Sequence, residues 1–476
     1  MMRDTGKHDA VVVFGAFDRH NLGDLLFPHV VAKLLACDDV IFAGLAERDL
    51  RVHGGHAVQA LAQLAAERGK DRVHIVHAGG EILTCGDWEA AVMLLPWDQA
   101  QKIIARLETH NDERRAWARA LTGLDALAPY MTSREMFPCA SSVTYQAAGG
   151  VDVERLDPGM RAEVLSKLAQ ADDVSVRDIH TQNGLAAAGI LARLVPDPAV
   201  MVTELFGTNI RACKERSGVA DLQRAFPEGY VAVQFSADFG DDGTLGVLAR
   251  ELDRVSNESG LGIVFFRAGA APWHDDMACY ERIAARMKVS RTQLFRSLEI
   301  WDICALIADA TAYAGSSLHG RIVALACGLP RVNFFHPARA NDTSKQSAFA
   351  ATWEPACVPG SVGIEALSRA MLHASRSTAR CCGARPHTSP LAIARDSRRR
   401  ERQCVVREMQ GLARRAVSAR SCNLAKLDRS LLSPRVRASV WCEPWTAGRA
   451  AAVASSADWL SAPPIRNTRG CRAPSR

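Results

Sequence analysis

Ala10-Val11-Val12-Val13-Phe14-Gly15 runs directly into Ala16-Phe17-Asp18-Arg19-His20-Asn21-Leu22-Gly23-Asp24. The first stretch is short and apolar without interruption, the pattern of a parallel strand buried on both faces. A strand with one wet face would place a polar residue at every second position, and none appears here. Glycine and asparagine then break the run, and amphipathic spacing through Leu35 predicts a helix. Strand, glycine-containing turn and helix in that order open an α/β fold.

The same unit recurs outward from this stretch. Residues 39–43 and 72–77 read as strands, the second ending at Ala78-Gly79-Gly80-Glu81, with helical spacing over 58–68 between them. After a break, 230–235, 262–266 and 310–315 read as strands, with helices over 245–256, 277–287 and about 319–327. Residues 197–229 read as the hinge between two α/β halves. The expected architecture is α/β, with two facing Rossmann-like domains over 8–200 and 228–375. Open parallel sheets bind ligands beyond the carboxyl ends of their strands, which places the glycine-rich strand ends at a cleft.

Composition bounds the function. The chain has 476 residues, of which 48% are hydrophobic and 23% charged, excluding collagen-like, coiled-coil and wholly disordered chains. No apolar run approaches the roughly 20 residues of a membrane helix, and no apolar stretch of a secretory signal precedes the first strand. A cytoplasmic location follows, with at most peripheral membrane association. The net charge of +6 is uneven: from residue 376 onward 21 Lys+Arg face 6 Asp+Glu, leaving 37 basic against 46 acidic groups in the body. High charge without apolar periodicity predicts a disordered Arg-rich tail over 376–476, either a frame-shifted read without a role or a polyanion-binding segment. No nucleic-acid partner is expected for the acidic body. The 14 cysteines contain no C-x-x-C pair, against a zinc ribbon or thioredoxin-like site, and free thiols are expected. His8, His20 and His29 show no metal-ligand spacing with carboxylates, so no metal is assigned.

Four constellations carry chemistry. Asn21-Leu22-Gly23-Asp24 lies at a strand–helix junction, where glycine admits a ligand and free amides favour an anion; Asn21 and Asp24 equally suit helix capping. Gly79-Gly80 suits close ligand approach or a tight turn. Asp173-Val174-Ser175-Val176-Arg177-Asp178 delivers Arg177 at a strand end, as a bidentate clamp on an anion or as a structural pair with Asp178. Gly315-Ser316-Ser317-Leu318-His319-Gly320-Arg321 places a histidine at a strand–helix junction, where imidazole can exchange protons near neutral pH.

In this order the four resemble the polysaccharide pyruvyl transferase family, through Asn21, Gly23 and Asp24, through Gly79 and Gly80, through Ser175 to Asp178 and through Ser316 to Gly320. Pro196-Asp197-Pro198-Ala199 is similar to a Pro-Asp segment of that family. The resemblance covers roughly residues 10–375. It implies a GT-B-like fold and transfer of a pyruvyl group from phosphoenolpyruvate onto two hydroxyls of a sugar or lipid-linked saccharide, forming a ketal without a cofactor. It further implies His319 as the acid/base and Arg177 as the donor clamp, with Asn21, Gly23, Asp24, Gly79, Gly80, Ser316, Ser317, Gly320 and Arg321 around the substrates. Several family members carry Arg where this chain has Ser317, so a second cationic donor contact is either missing or supplied by Arg321 or Arg267. A GT-B-like glycosyltransferase using a nucleotide-sugar and a non-catalytic glycan-binding protein are the competing readings. Acceptor specificity is expected in loops of the first domain, around Trp88, Trp97 and residues 111–144.

Overall fold

The computed structural model describes residues 9–37, 39–216, 218–339, 343–381 and 410–411. The first sheet comprises β1 (Ala10–Phe14), β2 (Val40–Gly44), β3 (Arg48–Asp49), β4 (Ala57–Ala60), β5 (Val73–Ala78), β6 (Ser142–Ala148), β7 (Asp173–Val176) and β8 (Arg193–Leu194). The second comprises β9 (Tyr230–Gln234), β10 (Gly262–Phe266), β11 (Thr292–Phe295), β12 (Ala312–Gly315), β13 (Arg331–Phe335) and β14 (Ser361–Gly363). Their orders are β3-β4-β2-β1-β5-β6-β7-β8 and β11-β10-β9-β12-β13-β14. All pairs are parallel except β3 with β4.

In each sheet the strand that comes first in sequence, β1 or β9, is central. The chain winds outward on one side of it, returns, and winds outward on the other. The order therefore reverses between β1 and β5 and again between β9 and β12, and such a switch point opens a crevice at the carboxyl ends of the strands. Every residue of β1, β9 and β10 is buried, which is why these three strands read as unbroken apolar runs.

Both sheets lie in one compact unit. Helix Leu22–Leu35 joins them because it is apolar on two sides. Leu22, Leu25 and Leu26 pack with Val264, Phe266, Ile300 and Ile303 of the second half. Phe27, Val30 and Val31 pack with Val11 and Val13, and with Leu318, Ile322 and Leu325. Each such side chain contributes about 1.5–3 kcal/mol when fully buried, so this junction is built like a core. Backbone bonds tie the strand ends together: Leu22 N–H donates to Ala268 O at 2.7 Å and Ala270 N–H to His20 O at 3.1 Å. Asn21 and Gly269 form an antiparallel bridge.

Some expectations change. The stretch 197–229 is folded as a 3-10 turn, Pro198–Met201, and the helices Val202–Arg216 and Val219–Ala225. Residues 111–144, read as specificity loops, contain helix Asn111–Thr122 and the start of β6. Trp88 packs edge-on against Trp117 with Arg114 over its ring, and Trp97 begins helix Trp97–Leu107. Neither lines the cleft described below. Helix Leu367–Cys381 runs through the point near 375 where the pattern was expected to fail. The expected tail otherwise lies outside the described residues, except for 410–411, where the Gln410 amide donates to Val200 O. Among the described residues no helix is long and apolar enough to cross a membrane.

Candidate active site

His319 stands in the first turn of helix Leu318–Ala326, directly after β12, because Ser317 starts that helix by accepting from Gly320 N–H at 3.1 Å. The residue is 9% exposed. It lies against Gly23 of the other half: a methyl group built on Gly23 would fall 2.0 Å from His319 Nδ1. The Phe27 ring meets the imidazole edge-on at 5.1 Å. On the other side, Nε2 lies 3.5 Å from Asp197 Oδ2. Burial alone would raise the pKa of the Asp197 carboxyl, but contacts with His319 and Arg177 hold it below its ordinary value.

Arg177 is 1% exposed and fully engaged. It pairs with Asp197 at 3.2 Å and, closer still, with Glu81. The expected donor clamp therefore has its fork filled by two carboxylates of its own chain. Its expected structural partner differs too, since Asp178 caps helix Ile179–Ala187 by accepting from Thr181 N–H and Oγ1–H at 2.8 and 3.0 Å. Arg321 is likewise internal: it is bidentate to Glu354 at 2.7 and 2.9 Å and also donates to Pro359 O and Gly360 O. It is buried against Asn333 of β13 and does not line the cleft described below. Gly320 is also structural, because a methyl there would meet the Tyr313 hydroxyl at 2.4 Å.

The remaining expected residues divide between support and cleft wall. Asn21 caps helix Leu22–Leu35, its Oδ1 accepting from Gly23 N–H at 3.1 Å, and it also lines the cleft. Asp24 lies 3.5 Å from Arg19. Gly79 and Gly80 have φ of +64° and +78°, and a methyl on Gly79 would strike Phe27 at 2.5 Å. Gly79 thereby leaves room for Phe27, whose ring meets His319. Ser316 accepts from Ser236 N–H at 3.1 Å, and both it and Ser317 line the cleft.

The cleft between the two sets of strand ends has a volume of about 720 Å³. Its wall carries four cations that sequence reasoning missed: Arg155 and Arg339, which pair with Asp152 and Asp238, and Arg19 and Lys345. Arg19 follows β1, and its side chain is 10% exposed with the guanidinium over the Tyr130 ring at 5.1 Å. Its Nε and Nη1 are buried and lack a hydrogen-bond partner among the described residues. Lys345 opens helix Lys345–Trp353 and reaches the cleft's solvent, yet is crowded enough by protein that desolvation lowers its pKa, with Arg177 and Arg19 adding to the effect. Arg19 sat inside the opening stretch of the sequence, masked by the glycine and asparagine signals beside it. Lys345 lies in no motif. Two further cleft groups have displaced pKa values. Burial holds His274 down at about 4, hence neutral, and pushes Asp275 up to about 7. Elsewhere, Cys213, Glu299 and Asp302 approach one another within 4.8 Å. Asp302 and Glu299 there accept from Ser297 Oγ–H and Asp302 N–H.

Two doubly wound sheets meeting across a cleft, with a histidine–carboxylate pair at their strand ends and cations on the cleft wall, define an α/β protein of the GT-B arrangement. Residues 148–334 match the model of the polysaccharide pyruvyl transferase family. That match runs from the end of β6 to β13 and contains Ser175 to Asp178 and Ser316 to Gly320, whereas Asn21 to Asp24 and Gly79-Gly80 lie before it. Comparison with curated proteins gives no match. Similar solved structures include UDP-GlcNAc 2-epimerase from Neisseria meningitidis, with 11% identity over 82% of this chain and 97% of that one and a TM-score of 0.42. Another is α,α-trehalose 6-phosphate synthase from Burkholderia multivorans, with 14% identity over 88% and 99% and a TM-score of 0.45.

Proposed function

We propose that the protein transfers a pyruvyl group from phosphoenolpyruvate to a sugar of a polysaccharide or its precursor, forming a ketal. The reaction protonates the methylene carbon of the enol phosphate and develops positive charge at the neighbouring carbon. One sugar hydroxyl attacks that carbon, the C–O bond to phosphate breaks, and a second hydroxyl closes the ketal. The two hydroxyl protons balance the new methyl C–H and the released hydrogen phosphate. The site thus has to shuttle protons and hold a phosphate and a carboxylate.

His319 supplies the shuttle. Its Nε2 is turned to Asp197, leaving Nδ1 as the nitrogen for substrate protons. Arg19 and Lys345 hold the donor's anionic groups, while Arg177, locked to Glu81 and Asp197, positions the carboxylate behind His319. The observation that carries this reading is a buried guanidinium in the same cleft as His319, whose Nη1 has no hydrogen-bond partner among the described residues and whose Nε has only the 3.5 Å ion pair with Asp24. Leaving a charged donor unsatisfied is unfavourable by several kcal/mol unless a ligand completes it.

The test incubates the full chain with phosphoenolpyruvate and a panel of sugar acceptors and measures inorganic phosphate. Acceptor-dependent release is the expected result. Release of UDP from a UDP-sugar without phosphate release from phosphoenolpyruvate overturns the proposal in favour of a glycosyltransferase. Turnover of neither donor overturns it in favour of a binding protein.

A further inference from the structure

Trp273 stands on the loop between β10 and helix Met277–Arg286, on the wall of the cleft. Its φ is +61°, in the left-handed region that bulky L-residues rarely adopt, and the residue is 37% exposed. The other non-glycine residues with positive φ, among those described, are Ala36 and Ala147. Trp273 therefore combines a strained main chain with an apolar ring held in water. Such strain persists only where the surroundings over-determine it, and it concentrates at functional sites.

The surroundings do fix this loop. Asp275 accepts from Ala268 N–H at 2.6 Å and Gly269 N–H at 3.3 Å, and Gln234 donates to its other oxygen at 2.7 Å. His274 N–H donates to Ala271 O at 3.1 Å, and His274 O accepts from Ala237 N–H at 2.8 Å. His20 of the other half accepts from Ala270 N–H at 3.2 Å. Nothing in this bracing needs an indole at 273, and glycine would relax the backbone. We infer that Trp273 is the stacking platform for a pyranose ring of the acceptor saccharide, an inference that rests on the transferase reading above.

The rest of the wall fits that ligand. A pyranose presents an apolar C–H face, which the indole covers, and a rim of hydroxyls, for which Ser236, Thr84 and Glu89 lie along the same cleft. Two other cleft arginines, Arg155 and Arg339, are tied to Asp152 at 3.5 Å and Asp238 at 3.4 Å. Arg19 and Lys345 suffice for one small anionic donor, and the remaining surface suits a hydroxylated ring better than a second diphosphate.

The test uses the full chain, with W273G and W273F, on an immobilised array of gluco-, galacto-, manno- and N-acetylhexosaminides, with UDP as a separate probe. Retention of one sugar class by the parent chain, weakened about tenfold or more in W273G and partly kept in W273F, is expected. The melting temperature of W273G should be equal or higher, because glycine relieves the strained φ. Unchanged saccharide retention by W273G, no retention by the parent chain, loss of UDP rather than saccharide, or a clearly lowered melting temperature in W273G each overturns the inference. Saccharide retention that depends on Trp273 without phosphate release from phosphoenolpyruvate removes the transferase reading alone. Turnover of phosphoenolpyruvate with saccharide retention indifferent to Trp273 removes the platform alone.

Discussion

At the scale of single residues, His319, Asp197, Arg177 and Glu81 form a chain of polar contacts whose two ends, His319 and Glu81, line the cleft while Asp197 and Arg177 are buried between them. His319→Asn keeps the size and some hydrogen bonding of the side chain but removes its titratable proton. General acid/base catalysis contributes about 10²–10⁴-fold, so turnover should fall by that order while donor binding changes little. Steady-state phosphate release against phosphoenolpyruvate concentration separates the two, and normal turnover in a folded variant excludes His319 as the proton carrier. Arg19 should behave in the opposite way. Arg19→Gln keeps much of the packing over Tyr130 but removes the charge, and a charge-assisted contact is worth about 1.5–3 kcal/mol. The donor KM should rise about tenfold or more with a smaller change in kcat. An unchanged KM would mean that Arg19 serves only Asp24.

At the scale of elements, the site is made where two helix starts meet, and Gly23 is the point of contact. Alanine in a helix is ordinarily favoured over glycine by about 1 kcal/mol. Here a methyl would overlap His319, and overpacking of this kind typically destabilises by about 1–3 kcal/mol. Gly23→Ala should therefore lower the melting temperature and depress kcat together; a variant more stable than the parent chain, with normal turnover, would show that the contact is loose. The helix starts were legible in the sequence because a parallel strand buried on both faces must be continuously apolar and must end in a turn that glycine or asparagine permits. The partners were not legible. Arg177 reaches Glu81 across 96 positions and Asp197 across 20, and local sequence carries no trace of either pairing. Strand β6 also escaped reading, since Ser142, Thr144 and Gln146 give it the alternation of a half-exposed or irregular segment. It is nevertheless an interior strand and largely buried, and its polar groups are met from adjacent strands: Thr144 donates to Ile75 O and Gln146 accepts from Ser175.

At the scale of the whole molecule, the junction between the two halves depends on neutral histidines. His20 Nε2–H donates to Leu298 O at 2.7 Å while Nδ1 accepts from Ala270 N–H, a pattern that only one neutral tautomer satisfies. Burial, with His53 and Arg267 nearby, lowers its pKa to about 4. Burial also lowers His56, stacked on Phe42, to about 3, and it depresses His29, which donates to Gly54 O and packs edge-on against Trp301. An unfolded chain binds protons at His20 and His56 near pH 6.5, whereas the folded chain does not until near pH 4 or below, and His29 shifts in the same direction. Their stabilising contribution is thus complete above about pH 6.5 and is lost as the pH falls toward 4. Asp275 works against them. Its pKa is raised to about 7, so between about pH 4 and 7 the folded state holds a proton that the unfolded state releases, and acidification through that window favours folding. His20, His56 and His274 oppose Asp275 in that window, and each net proton is worth about 1.4 kcal/mol per pH unit. The melting temperature should therefore fall between pH 7 and 5. His20→Gln offers a donor and an acceptor without titrating, and should flatten that slope. A melting temperature that is level or rises on acidification, or a slope unchanged in His20→Gln, would remove the histidines as the acid-sensitive part of the junction.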